Sequence, residues 1–344
     1  MAHAQENVTG PGSPGTAEQD LAALRADLPG FRIWREETCG RIRYVARRRL
    51  KGVRPHTVVT ACLGELRQEI ERACPQIGFS AVRPNIARMY DYLLQGKDNF
   101  RADRQAAESV LEKFPEVAAL TRANREFLAR AVRHVARQGI CQFIDAGVGL
   151  PACPNVHEVA RQVTRDARVV YTDNDPMVLG HARALLAVDS GISVVASDIR
   201  DPDALLAAPG VRGFVDPAQP VCVLLTSVLH FLPAAEADAA VAAFKRLMAP
   251  GSYLVISAGT STGTDPGLIR CLQAAYADTA PVTGRTAAEI GAWFTGLILA
   301  RPGLTDVWAW RPKDPQRPVR PTQARARLLA GVGRKPSGGP AWQP

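Results

Sequence analysis

The stretch Ile140-Cys-Gln-Phe-Ile144-Asp145-Ala-Gly147-Val-Gly149-Leu-Pro151 decides how the chain is read. A short apolar run ends in an acid, two glycines and a proline, which reads as a buried strand followed by a tight turn. The two glycines let backbone lie against a ligand with no Cβ in the way. A helix is expected over 155–164, starting near Pro154, and its free N-terminal amides favour a negative group. On its own the same turn can equally serve to pack a strand against a helix.

Outward from this point, strands and helices alternate. Ala167–Tyr171, Ile192–Val195, Val221–Thr226 and Tyr253–Ile256 read as strands. Helices are expected over 176–188, near Asp203 and over 234–248. Such alternation predicts a parallel sheet wound on both faces. Ile298 and Asp306–Trp310, with Pro302-Gly303 between them, predict two closing strands in an antiparallel hairpin. Seven strands ending in a hairpin point to an α/β fold with a class I methyltransferase-like Rossmann sheet, over residues 83–312. Ahead of the sheet, helices are expected over 87–94, 101–114 and 116–137, the last two split at Pro115.

Residues 19–75 read as a separate small α+β domain. Its expected strands are Phe31–Arg35, Arg41–Arg47, where Ile42, Tyr44 and Ala46 alternate with arginines, and Thr57–Thr60; a helix follows over Leu63–Ile70. Residues 1–18 read as a disordered leader, 75–84 as a linker, and 313–344, rich in Pro, Arg and Gly, as a disordered basic tail.

The chain has 344 residues, with 42 Lys+Arg against 33 Asp+Glu and a formal net charge of +9. Residues 25–54 and 311–335 each carry a net +7, which leaves −5 for the remainder. Basic flanks on an acidic middle suit either an anionic partner or a solvated Arg-rich surface. A composition of 47% hydrophobic and 22% charged residues excludes wholesale disorder. No apolar run approaches the roughly 20 residues a membrane helix needs, and the N-terminus lacks the apolar segment of a signal peptide. Seven scattered Cys with no C-x-x-C pair suggest free thiols in a reducing cytoplasm, and neither a disulfide framework nor a metal site.

Three strand ends carry the chemistry. Asp145, Gly147 and Gly149 follow the first. Asp173-Asn174-Asp175-Pro176 ends the second, where an acid can accept both hydroxyls of a ribose, and where one of the two acids is expected to cap the next helix. Asp198 and Ile199 follow the third, an acceptor for an adenine amino group and a surface for its ring. Together they define an adenosine site. NAD is the rival, since Gly147 to Ala152 fits a loose G-x-G-x-x-A pattern. Pro151, however, stands where a diphosphate-binding helix would begin, and Asp145 would repel a diphosphate while suiting the ammonium of a methionine moiety. S-adenosyl-L-methionine is therefore the expected cofactor.

The segment Arg83-Pro-Asn-Ile-Ala-Arg88-Met-Tyr90-Asp91-Tyr92-Leu-Leu-Gln-Gly96-Lys97-Asp98-Asn99-Phe100-Arg-Ala-Asp103-Arg104 resembles the opening of the bacterial S-adenosyl methyltransferase family once catalogued as a domain of unknown function. The resemblance continues through Arg122-Ala-Asn124-Arg125, the Asp145–Pro151 turn, Pro154-Asn155-Val-His157-Glu158, the Asp173–Pro176 stretch, Leu229-His230-Phe231, Pro250-Gly251 and Arg285-Thr286. It covers about residues 83–312 and implies a class I fold that binds S-adenosylmethionine, with no assigned acceptor. It further implies that the helix carrying Tyr90, Tyr92 and Lys97 folds over the cofactor as a lid. Ala146-Gly-Val replaces a more usual Ile-Gly-Thr, and the front domain is additional.

On this reading Asp145, Gly147 and Gly149 hold the methionine end, Asp173 and Asn174 the ribose, and Asp198 and Ile199 the adenine. Tyr90, Tyr92 and Lys97 come from the lid and Thr226 from the end of the fourth strand. His230, just past that strand, is the candidate catalytic base; the alternative is a buried histidine bonded to backbone. His157 reads as structural. Thr226-Ser-Val-Leu stands where amino- and cytosine-directed nucleic-acid methyltransferases carry Asn-Pro-Pro-Tyr or Pro-Cys, so a small-molecule acceptor is favoured over nucleic acid. A non-catalytic cofactor-binding regulator is the competing class, and the oligomeric state is left open.

Overall fold

The computed structural model describes residues 14–27, 31–38, 41–48, 57–73, 82–277, 279–312 and 325–337. The chain divides into two compact units, Met1–Val82 and Arg83–Pro344.

The first unit comprises α1 (Pro14–Asp27), β1 (Phe31–Thr38), β2 (Arg41–Arg48), β3 (Thr57–Thr60) and α2 (Leu63–Ala73). The strands form an antiparallel meander in the order β1-β2-β3. Period-two alternation buries Phe31 and Ile33 beside Ala46 and Tyr44, while Arg32, Arg35, Arg43 and Arg47 stay exposed. The helices contribute Leu21, Leu24, Leu66 and Ile70 to the buried side. Helix α1 begins at Pro14, inside the stretch expected to be a disordered leader, with proline at a first-turn position where a missing N–H costs nothing. Residues 1–13 of that leader and 75–81 of the expected linker lie outside the described residues.

The second unit opens with three helices, α3 (Ile86–Leu93), α4 (Arg101–Leu111) and α5 (Glu116–Arg137). The alternating part follows as β4 (Gln142–Ala146), α6 (Val156–Arg161), β5 (Arg168–Asp173), α7 (Pro176–Leu185), β6 (Ile192–Ala196), α8 (Pro202–Ala207), α9 (Pro209–Arg212), β7 (Cys222–Thr226), α10 (Ala234–Leu247) and β8 (Tyr253–Gly259). It closes with α11 (Pro266–Ala275), α12 (Ala287–Ala292), β9 (Ile298–Leu299), β10 (Thr305–Asp306) and β11 (Leu328–Arg334). The sheet runs β10-β11-β8-β7-β4-β5-β6, with β9 also on β11. Strands β4 to β8 pair in parallel; β11 is antiparallel to β8, β9 and β10.

The closing strands depart from expectation. Ile298–Leu299 and Thr305–Asp306 do not form a hairpin with each other, because each pairs with β11 instead. Residues 307–310 are not strand. Arg130 of α5 donates to the carbonyls of Val307 (2.6 Å) and Trp310 (2.8 Å), and Ala309 N–H turns back to Asp306. The stretch 313–344 is not wholly a disordered tail either: Leu328–Arg334 crosses beside β8 and is almost entirely buried. Its glycines misled the reading. A Cβ at Gly331 would stand 2.7 Å from the Phe294 ring and one at Gly333 2.9 Å from it, so this strand must be glycine-rich to pass beneath α12 and the turn after it. Residues 313–324 and 338–344 lie outside the described residues.

The sheet separates two apolar layers. Phe143, Tyr171, Leu224 and Val255 face α5, where they meet Phe127, Ala131 and Val132. Ile144, Val170, Val223 and Leu254 face the other way, onto Leu205, Val241 and Phe244. Chain order reverses between β4 and β7, and open α/β sheets bind ligands outside the strand ends at such a switch.

Candidate active site

The tips of β4, β5 and β6 lie side by side, with Asp145 opposite Tyr171 and Asp173 opposite Ala196. After β4 the chain turns through Gly147 (φ +79°) and Gly149 (φ +65°), left-handed values that favour glycine at both positions. Gly147 and Val148 N–H donate to the Thr172 carbonyl, and Gly149 N–H donates to Asp173 Oδ2 at 3.0 Å. The other Asp173 oxygen accepts from Asp175 N–H at 3.0 Å. Asp175 itself caps α7, taking Met177 and Val178 N–H. The expected division of labour between these two acids is thus observed: one caps, and the other is held at the strand edge by backbone amides.

Asp145 is 3% exposed, and no described donor is hydrogen-bonded to its carboxylate. Burial pushes its pKa up to about 7; the Arg125 charge opposes the shift and Asp173 adds to it. Burial raises the pKa of Asp173 as well. Arg125, on α5, donates to the carbonyls of Ala152 and, at 3.0 Å, Pro154, fastening the helix to the glycine turn. Its Nε is buried with no partner. The turn therefore sets the Asp145 carboxylate of a buried residue near an arginine whose buried Nε has no partner. An amino acid's ammonium and carboxylate would satisfy both. The donor set fits the methionine end of S-adenosylmethionine.

Asp198 is placed differently from expectation. Arg200 clamps it (Nε to Oδ1, 2.9 Å) and Asn174 Nδ2 donates to Oδ2 at 3.1 Å, which lowers its pKa to about 2. Ile199 is 7% exposed and belongs to the core beneath α8, so it offers no free face to a ring. Asn174 is exposed, and Thr226 is partly buried at the end of β7.

The helical cover is built by the motif that opens this unit. Arg88 and Asp103 form an ion pair at 2.7 Å with side chains 2% and 0% exposed. Asp103 also accepts from Asn85 and Phe100 N–H, while Asn85 Nδ2 reaches Asp175 at 2.6 Å and so ties α3 to the start of α7. Asp91 holds the following loop through Asp98 N–H and Asn99 Nδ2. Most of the motif's polar residues thus shape the cover. Of its three expected ligands, only Tyr90 is turned inward, where it lines a cavity beneath the helical cover. Tyr92 donates to Glu108 at 2.8 Å on the exposed side of α4, and Lys97 is exposed in the loop. Helix α3 cannot turn both tyrosines inward, because residues two apart point to different faces.

Tyr90 belongs to a buried chain of hydrogen bonds that sequence reading missed. Its hydroxyl accepts from Asn124 Nδ2 (2.9 Å) and donates to the Thr121 carbonyl (3.3 Å); Asn124 Oδ1 accepts from Ser257 Oγ (2.6 Å), which in turn accepts from Ser227 N–H (3.0 Å). The chain joins α3 and α5 to the ends of β7 and β8. Ser227 sits at φ +59°, a left-handed value unusual for a serine. Nothing in a lone Ser or Asn in sequence announces such a role.

Beside this chain lies a cavity of about 130 Å³ between the β7 and β8 ends and α3, α5 and α11. Leu93, Leu268, Leu272 and Tyr276 make it apolar, and His230 lines it. Gly259 N–H donates to His230 Nδ1 at 3.4 Å, and burial with the Arg285 charge lowers its pKa to about 4. With Nδ1 accepting from Gly259 N–H, the ring places its proton on Nε2, an arrangement that favours the backbone-bonded alternative over a base, although the side chain is half-buried rather than buried. His157 is structural as expected: buried, with its ring and N–H both on the Tyr171 hydroxyl.

A parallel sheet with one antiparallel strand next to last, a glycine turn after its first strand and paired acids on the first two tips define a class I methyltransferase. The chain belongs to the S-adenosyl methyltransferase family, whose model matches residues 73–336. It is an S-adenosylmethionine-dependent methyltransferase, and S-adenosyl-L-methionine is its cofactor. A Thermobifida fusca YX protein assigned as a methyltransferase is 40% identical, with a TM-score of 0.71 over 76% of this chain and 98% of that one. A DUF574 family protein from Streptomyces avermitilis MA-4680 is 35% identical, with a TM-score of 0.69 over 74% of this chain and 98% of that one. No curated protein matches the chain. Among the described residues, no helix is long and apolar enough to cross a membrane, and no group of His, Cys, Asp and Glu is placed to hold a metal.

Proposed function

We propose that the enzyme methylates a small molecule held in the cavity beneath α3 and α11. The observation that carries this reading is the cavity itself: apolar, about 130 Å³, and lined by Tyr90 and Ser227, which belong to the hydrogen-bond chain at the β7 and β8 ends. A ~150 Å³ apolar cavity accepts benzene, so a single ring or a branched chain is the natural occupant. S-adenosylmethionine supplies an electrophilic methyl group on a sulfonium. Asp145 receives its ammonium, Arg125 Nε its carboxylate, and Asp173 with the Gly147–Gly149 turn its ribose. Asp198 remains the acceptor at the adenine end, already oriented by Arg200. Tyr90 places a ring between the two compartments, where its π face attracts a sulfonium. Alignment and exclusion of water then provide the catalysis for an in-line displacement. The free thiols at Cys62, Cys141, Cys153, Cys222 and Cys271 accord with a cytoplasmic setting.

The test is incubation of the purified protein with methyl-labelled S-adenosylmethionine and separate small-molecule, RNA and DNA fractions. Label in the small-molecule fraction is the expected result. Label confined to nucleic acid would replace this reading with the nucleic-acid one.

A further inference from the structure

The acceptor's chemistry is written in the groups that line its cavity. No Asp, Glu or Lys is among the described lining residues. Arg327 is the one described cationic side chain, and Asp306 engages it at 2.9 and 3.2 Å. His230 has its Nδ1 occupied and presents Nε2–H, for which no described protein acceptor exists. Behind it, Arg285 is 3% exposed; its hydrogen bonds go to the carbonyls of Leu229 (3.1 Å), Pro233 (3.3 Å) and Leu232 (3.5 Å), and its guanidinium lies 5.0 Å over the Trp293 ring. Asp238 and Glu289 act on Arg285 from beyond ion-pair distance. Thr264 Oγ1 lies buried in the cavity wall with no partner. The cavity thus offers two unused donors, a buried positive charge behind one of them, and no acid.

We propose that the acceptor is a small apolar carboxylic acid that binds ionised and leaves as its methyl ester, a reading that rests on the methyl-transfer function proposed above. A cationic or amine acceptor would leave a charged product in an apolar space with no carboxylate to balance it. A phenol or alcohol (pKa about 10 or higher) would need a base, and His230 is a donor, not a base. A carboxyl group (pKa about 4) arrives without its proton. The new bond joins a carboxylate oxygen to the methyl carbon, the sulfur–carbon bond breaks, and its electron pair stays on sulfur. No proton moves, and the positive and negative charges both vanish. An apolar site favours charge-annihilating reactions because the separated ions lose more solvation than their neutral products. His230 Nε2–H and Thr264 Oγ–H orient the carboxylate, and Arg285 supplies the field that draws it in.

The test holds the apolar body constant and changes the head group. S-adenosylhomocysteine is titrated first by calorimetry, which tests the cofactor site alone. With it bound, benzoate, benzyl alcohol and benzylamine are titrated at millimolar concentration. Benzoate is expected to bind at least about tenfold more tightly than the others, equivalent to ~1.4 kcal/mol. His230→Phe is expected to remove that preference and to leave S-adenosylhomocysteine affinity unchanged. Leu268→Trp, which fills the cavity, is expected to abolish benzoate binding with the same cofactor control. Benzylamine binding as tightly as benzoate, or no binding by any of the three, overturns the inference while leaving the cofactor reading intact. Failure of S-adenosylhomocysteine to bind defeats that underlying reading instead.

Discussion

The two compartments of the crevice, at opposite sides of the topological switch, carry opposite electrostatics. At the β4 and β5 tips, buried Asp145 and half-buried Asp173 lie near each other, and desolvation raises the pKa of both. At the β7 and β8 ends no acid lines the cavity among the described residues, and a buried arginine without a carboxylate lies behind a neutral histidine. The first compartment favours a cation, and the second, where only the more distant Asp238 and Glu289 act on Arg285, favours an anion. A single sheet edge can therefore sort a cationic donor from an anionic acceptor, because low dielectric magnifies each mismatch.

The comparison is broken most completely by removing the cover both compartments share. Asp103→Ala takes the carboxylate from buried Arg88 and is expected to cost about 3–5 kcal/mol of stability by denaturant unfolding, with loss of cofactor binding. The next largest effect is on one compartment alone. Asp145→Asn is expected to weaken S-adenosylhomocysteine binding by about 2–4 kcal/mol, roughly 30- to 1,000-fold by calorimetry. The same change is expected to stabilise the free protein at pH 8. The reason is that a raised folded-state pKa gives the acid a cost that grows as pH climbs from the unfolded value toward 7 and persists above it.

A smaller effect sharpens the contrast through pH. Below about 7 the free protein holds Asp145 protonated, and receiving an ammonium requires release of that proton. Cofactor affinity is expected to rise with pH up to this value, by at most about tenfold per unit, and to flatten above it; Asp145→Asn should level the profile. The smallest effect is expected outside both compartments. Tyr92→Phe removes one exposed bond to Glu108 and should change stability by less than about 0.5 kcal/mol and cofactor affinity not at all. A large loss of affinity there would restore Tyr92 to the site.

Legibility followed how local each signal was. Strands β4 to β8 and their helices were readable because their apolar periodicity lies within each segment. The positions of Asp145, Gly147, Gly149 and Asp173 at strand ends are legible because the apolar runs before them stop abruptly at an acid or a glycine. Tyr92 and Lys97 were assigned inward although motif membership says nothing about helix face, and the motif's main work is the Arg88–Asp103 pair and the Asp91 loop. The link from Arg125 to the glycine turn is not legible in sequence, since an isolated arginine on a helix carries no periodic signal.

By itself the sequence determined the layered α/β fold, the family and the three acid-bearing strand tips, because each depends on residues adjacent in the chain or at fixed local spacing. Tertiary structure alone decided that glycine-rich Leu328–Arg334 is an interior strand, since Phe294 packed against Gly331 and Gly333, with Leu297 against the latter, explains both glycines. It alone places the Gly259 N–H against His230 Nδ1, 29 residues away along the chain. Contacts between distant segments leave no pattern in either one, and the acceptor's cavity is made entirely of such contacts.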